Sequence, residues 1–119
     1  MNSLRARRSA ADDVRAAATF LMPRGSATIS EIARALGVNV RTLQRRLARE
    51  DVVFSDLTNV VRRELAETYL CETDRSLTEV ARLLSFRQLS SFTRWFSAEF
   101  GVAPSRWRAA VMRAARRAA

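Results

Sequence analysis

The chain has 119 residues, enough for one domain or two very small ones, with room for only a modest core. Apolar residues make up 48% of it, and with 3 Gly and 2 Pro the composition excludes a disordered chain and favours an all-helical one. A formal charge of +9 points to a polyanionic partner, nucleic acid ahead of an anionic membrane. All 21 basic residues are Arg, for which codon bias in a GC-rich genome is the plainer cause, and whose guanidinium suits paired bonds to phosphate and guanine whatever its origin.

In chain order, residues 1–9 read as a basic flexible tail carrying Arg5, Arg7 and Arg8. A helix is expected over residues 10–21, with Asp12 and Asp13 at its positive end and Val14, Ala17, Ala18 and Leu21 as its apolar stripe; Pro23 and Gly25 stop it. Thr28 and Glu31 then have the spacing of a capping box. Ile29, Ile32, Ala33 and Leu36 follow at helical spacing, and Gly37 supplies a tight turn. Asn39 suits the N-cap of a helix over residues 40–50. Leu43 and Leu47 should pack inward there, while Arg41, Gln44 and Arg45 share the opposite, exposed face. Residues 55–73 form a long amphipathic segment with Leu57, Val60, Val61, Leu65, Tyr69 and Leu70 on its apolar side, ending in the polar run Glu72 to Arg75.

From Ser76 the same text starts again. Ser76 and Glu79 repeat the capping box, and Leu77, Val80, Ala81 and Leu84 repeat the apolar spacing. The turn is one residue longer, and a helix over residues 88–100 sets Phe92, Trp95 and Phe96 inward, with Ser90, Thr93, Arg94 and Ser97 on the other side. Gly101 closes it, and Pro104 opens a last helix that carries Trp107 toward the core and ends in Arg113, Arg116 and Arg117. One helix-turn-helix is a weak signal; two in register are a strong one. The expected fold is all-α with about seven helices: a first helix-turn-helix over residues 10–50, a linker helix over 51–75 and a second helix-turn-helix over 76–119.

Catalysis finds little support. The chain has no His, so the usual acid/base group and the commonest metal ligand are missing, and the single Cys71 cannot build a zinc site. Asp12–Asp13 and Glu50–Asp51 are neighbouring carboxylates, but they sit at helix ends, where solvation and the dipole account for them. No phosphate loop is present, and no cofactor or metal is expected. No apolar run approaches the ~20 residues that cross a bilayer. With a lone Cys and no signal-peptide pattern, the expected setting is the cytoplasm. Membrane-surface binding would need an exposed apolar stripe, and here those stripes are needed for the core.

The residues resemble the DNA-binding domain of the AraC/XylS family of bacterial transcription regulators. The most specific part is Leu77-x-Glu79-Val80-Ala81-x-x-Leu84-x-Phe86, then Ser91-Phe92-x-Arg94-x-Phe96, then Gly101-x-x-Pro104-x-x-Trp107-Arg108. The run Arg41 to Leu47 and the spacing Arg62-x-x-x-Ala66-x-x-x-Leu70 match as well, and the wording is similar to the virulence and ornithine-utilisation regulators. The resemblance implies two recognition helices in successive major grooves of promoter DNA, ~34 Å apart, with the linker helix holding that spacing. It implies base reading by Arg41, Gln44 and Arg45 in the first copy and by Ser90, Thr93 and Arg94 in the second, with Thr28, Arg46, Ser76 and Arg87 on phosphates. An activator acting as a monomeric domain is expected, with RNA polymerase as an additional partner. This length leaves no room for the effector-sensing domain of most relatives, so the chain is a fragment or a short stand-alone member.

Each of these residues also has a plain structural role open to it. An exposed Arg is ordinarily a solvated surface group, Arg94 has Glu99 nearby as a partner, and Arg62 has a structural role open to it in the linker helix. One departure stands out: Ser85 occupies the turn where the family usually has Gly, which costs ~1 kcal/mol or more if φ is positive there.

Overall fold

A computed structural model describes residues 9–72 and 74–118. Seven α-helices carry them: α1 (Ala10–Leu21), α2 (Ile29–Ala35), α3 (Val40–Arg49), α4 (Phe54–Cys71), α5 (Leu77–Leu83), α6 (Leu89–Phe100) and α7 (Pro104–Ala118), with a 3₁₀ turn at Met22–Arg24 and no strand among the described residues. The expected basic tail lies outside the described residues except for Ser9, whose hydroxyl accepts from Asp12 N at 2.9 Å and makes it the N-cap of α1. Thr73, the expected end of the linker helix, also lies outside them; α4 ends at Cys71. The chain divides into two compact units between Arg62 and Arg63, within α4.

The first unit is built on Val14, Ala18, Met22, Ile32, Ala33, Leu43, Leu47 and Val61, none more than 2% exposed. α1 is capped twice. Besides Ser9, the carboxylate of Glu50 accepts from Ala10 N at 2.7 Å and Ala11 N at 3.0 Å. Glu50 follows the C-terminal end of α3, where its charge is unfavourable, and instead serves the positive end of α1. Asp51 then takes a left-handed conformation (φ 58°), and Val52 N reaches Leu47 O at 3.1 Å to close α3. Val60, placed on the apolar side by its spacing, is 41% exposed. Buried positions of α4 do not follow one stripe: Leu57, Thr58 and Val61 are buried, then Ala66 and Leu70.

The second unit is held by aromatic side chains. Phe92 and Phe96 are fully buried, while Trp95, Phe100 and Trp107 are half-buried. Phe96 stacks on Phe100 with centroids 4.1 Å apart and meets Trp107 edge-on at 6.0 Å. Phe86, at the turn, packs on Phe92 and Trp95. These rings contact one another, as core residues do. Three arginines tie the second half of α4 into this unit. Arg63 donates to Glu99 O at 3.0 Å and Glu99 Oε1 at 3.1 Å, and lies 4.6 Å from the Phe100 ring centre. Arg108 Nε donates to Leu70 O at 2.9 Å, satisfying a carbonyl in the last turn of α4. Arg75 bridges Glu72 at 2.6 Å and Glu79 at 3.2 Å, joining the end of α4 to the start of α5.

Candidate nucleic-acid interface

α2 and α3 form one helix-turn-helix, α5 and α6 the other, and the two turns match bond for bond. Gly37 N reaches Arg34 O at 3.1 Å and Val38 N reaches Ala33 O at 3.0 Å; Ser85 N reaches Arg82 O at 3.0 Å and Phe86 N reaches Ala81 O at 2.9 Å. Both are Schellman closures, which require a left-handed residue after the C-cap. Gly37 has φ 72° and Ser85 has φ 68°, so Ser85 adopts the glycine conformation despite its Cβ.

The capping boxes share one arm and differ in the other. Thr28 Oγ1 accepts from Glu31 N at 3.2 Å, and Ser76 Oγ accepts from Glu79 N at 3.1 Å. In the first copy Thr28 Oγ1 also donates to Glu31 Oε1 at 2.8 Å. That bond, with one from Ser26, holds the Glu31 carboxyl below its ordinary range. In the second copy the Glu79 carboxylate is engaged by Arg75 at 3.2 Å. The Thr28 hydroxyl proton is therefore already committed, whereas Ser76 shows no second bond among the described residues.

α3 presents its residues as the spacing predicts. Leu43 and Leu47 are at most 2% exposed, while Arg41, Gln44, Arg45 and Arg46 are exposed and make no hydrogen bond or ion pair among the described residues. Asn39 caps α3 by accepting from Thr42 N at 2.8 Å. α6 begins at Leu89, because Gln88 is extended (φ −130°, ψ 144°) and makes no side-chain cap bond. Ser90 and Arg94 are exposed, and Thr93 is half-buried. Ser90 Oγ lies 3.4 Å from Gln88 Oε1, a long and weak contact. Arg94 has no partner among the described residues, and the Glu99 carboxylate is paired with Arg63. Arg87 is exposed in the turn before α6. Sequence reasoning missed the Arg63–Glu99 and Arg108–Leu70 contacts, which join residues far apart in the chain. Arg62 is half-buried, and burial pushes its pKa down.

The profile of the helix-turn-helix domain family matches residues 32–110. HTH-type transcriptional regulator VirS of Mycobacterium tuberculosis is 37% identical over 89 residues, covering 75% of this chain and 26% of that protein. Transcriptional activator NphR of Rhodococcus sp. is 35% identical over 81 residues (68% and 24%), and the ornithine utilization regulator of Pseudomonas aeruginosa is 35% identical over 82 (69% and 24%). The chain thus spans about a quarter of the length of these curated relatives. Among solved structures, the transcriptional regulator CdpR from Pseudomonas aeruginosa aligns with TM-score 0.61 at 33% identity over 68% of this chain and 26% of that one. A DNA-binding transcriptional dual regulator from Escherichia coli K-12 shares the fold, with TM-score 0.71 at 20% identity over 84% of this chain and 93% of that one. With two matching helix-turn-helices and these relatives, the chain belongs to the AraC/XylS family of bacterial transcription regulators, as its helix-turn-helix DNA-binding domain.

Proposed function

We propose that this domain sets α3 and α6 into successive major grooves on one face of promoter DNA, ~34 Å apart, and activates transcription from there. One observation carries the reading: Arg41, Gln44 and Arg45 stand together on the exposed face of α3, without partners among the described residues, above a buried Leu43–Leu47 seam. Arg pairs with guanine O6 and N7, and Gln with adenine N6 and N7, each pair being worth ~1–3 kcal/mol in discrimination. In α6, Arg94 is the long reader, and Ser90 and Thr93 offer short contacts to methyl groups or phosphates. Arg46, Arg87 and Ser76 suit phosphates. Thr28 does so only by exchanging its bond to Glu31, so there the backbone N–H groups at the start of α2 are the better donors.

The domain acts by binding, with no catalytic step and no cofactor, as a monomer in the cytoplasm that also contacts RNA polymerase. Its relatives are named as transcriptional regulators, one of them an activator. No helix among the described residues is long and apolar enough to cross a membrane. The test is an electrophoretic shift on a duplex that the chain itself selects from a random pool. Arg45→Ala should weaken binding to that duplex by ~1–3 kcal/mol and relax preference at one base position. Unchanged affinity and preference would remove Arg45 from the readers.

A further inference from the structure

α7 holds five Arg and no acidic residue. Its first half is anchored, with Pro104 buried and Trp107, Ala109, Val111 and Met112 half-buried. From Arg113 to Ala118 every residue is exposed, so the last turn and a half is largely solvated among the described residues. Arg113, Arg116 and Arg117 stand in that stretch at i, i+3 and i+4, and none has a hydrogen bond or ion pair among the described residues. The C-terminal dipole favours Arg116 and Arg117 by a few tenths of a kcal/mol each. Like charges at this spacing oppose one another by ~0.2–0.5 kcal/mol per pair, which offsets part of that gain. A polyanion relieves that repulsion.

We infer that the exposed end of α7 is an additional nucleic-acid contact, in which Arg113, Arg116 and Arg117 bind backbone phosphates of duplex beside the region read by the recognition helices. The inference rests on the DNA-binding reading above and assigns this surface to affinity, not to sequence choice. A lipid surface fits less well. An interfacial helix needs Trp, Phe or Leu opposite its cations, and here the intervening residues are Ala114, Ala115 and Ala118. Guanidinium groups on a rigid helix end, free of carboxylates, suit the closely spaced charges of a phosphate backbone.

The test compares the full chain with its Arg113→Ala/Arg116→Ala/Arg117→Ala variant, whose helix content is checked by circular dichroism. The probes are a duplex selected by the wild-type chain from a random pool, a scrambled duplex of equal length, the selected duplex trimmed to its protected core, and vesicles of phosphatidylglycerol and phosphatidylcholine. On the full-length duplex the slope of log K against log salt should become shallower by about 2 to 3, at ~0.9 per phosphate released. Affinity for the selected and scrambled duplexes should fall by the same factor, leaving their ratio unchanged, and the variant should match the wild type on the trimmed duplex. An unchanged slope and affinity would overturn the inference. So would a changed ratio, which would make these arginines base readers, or wild-type binding to vesicles at salt concentrations that release the duplex. Failure of the wild-type chain to select any duplex would instead overturn the DNA-binding reading itself.

Discussion

Ser85 shows how one side chain distinguishes the two copies. Its φ of 68° matches the 72° of Gly37, and nothing lies within 4 Å of a Cβ built on Gly37, so the penalty at this turn comes from backbone conformation and not from crowding. Ser85→Gly should therefore stabilise the chain by ~1 kcal/mol, and Gly37→Ala should destabilise it by a similar amount, both read from urea unfolding. Glu31 gives a pH signature. Its folded pKa lies below the ordinary 4.5, so its bonds to Thr28 and Ser26 add stability that is present above the unfolded pKa. That stability is lost as pH falls through the folded pKa. Between pH 7 and pH 3, wild type should lose more stability than Glu31→Gln; equal losses would show that the carboxylate is not engaged. The strain at Ser85 was legible because the position departs from a family pattern. The Arg63–Glu99 pair was not, because it joins residues 36 apart in the chain and one sequence does not reveal which distant side chains meet.

Helices were the most legible level, because each boundary has a local cause. Asn39, Thr28 and Ser76 cap where their side chains allow, and Pro104 starts α7. Gln88 was read as helical and is not: it is extended and caps nothing, so α6 starts one residue later. Val60 was misread because a single apolar stripe was drawn through α4, whose buried positions follow no such line. The caps carry a prediction for the two recognition helices. Asn39→Ala should cost ~1 kcal/mol in urea unfolding, whereas Gln88→Ala should change stability by less than half of that. No cost at Asn39 would mean that the Asn39–Thr42 bond contributes nothing.

For the whole molecule, the net charge of +9 and the exposed arginines of α3, α6 and α7 make affinity a strong function of salt. With 6–10 phosphate contacts, log K should fall with log salt at a slope of roughly −5 to −9. On the proposed reading the copies divide the work: α3 exposes two Arg and a Gln, α6 one Arg with Ser90 and Thr93, so α3 should supply most of the base discrimination. The DNA-binding role was legible from the doubled motif and charge, whereas the groove-by-groove docking depends on the duplex itself. The most direct measurement is a guanine-methylation footprint of the chain on its selected duplex. The account predicts two protected major-groove patches about one helical turn apart on one face. A single patch, or protection confined to the minor groove, would contradict it.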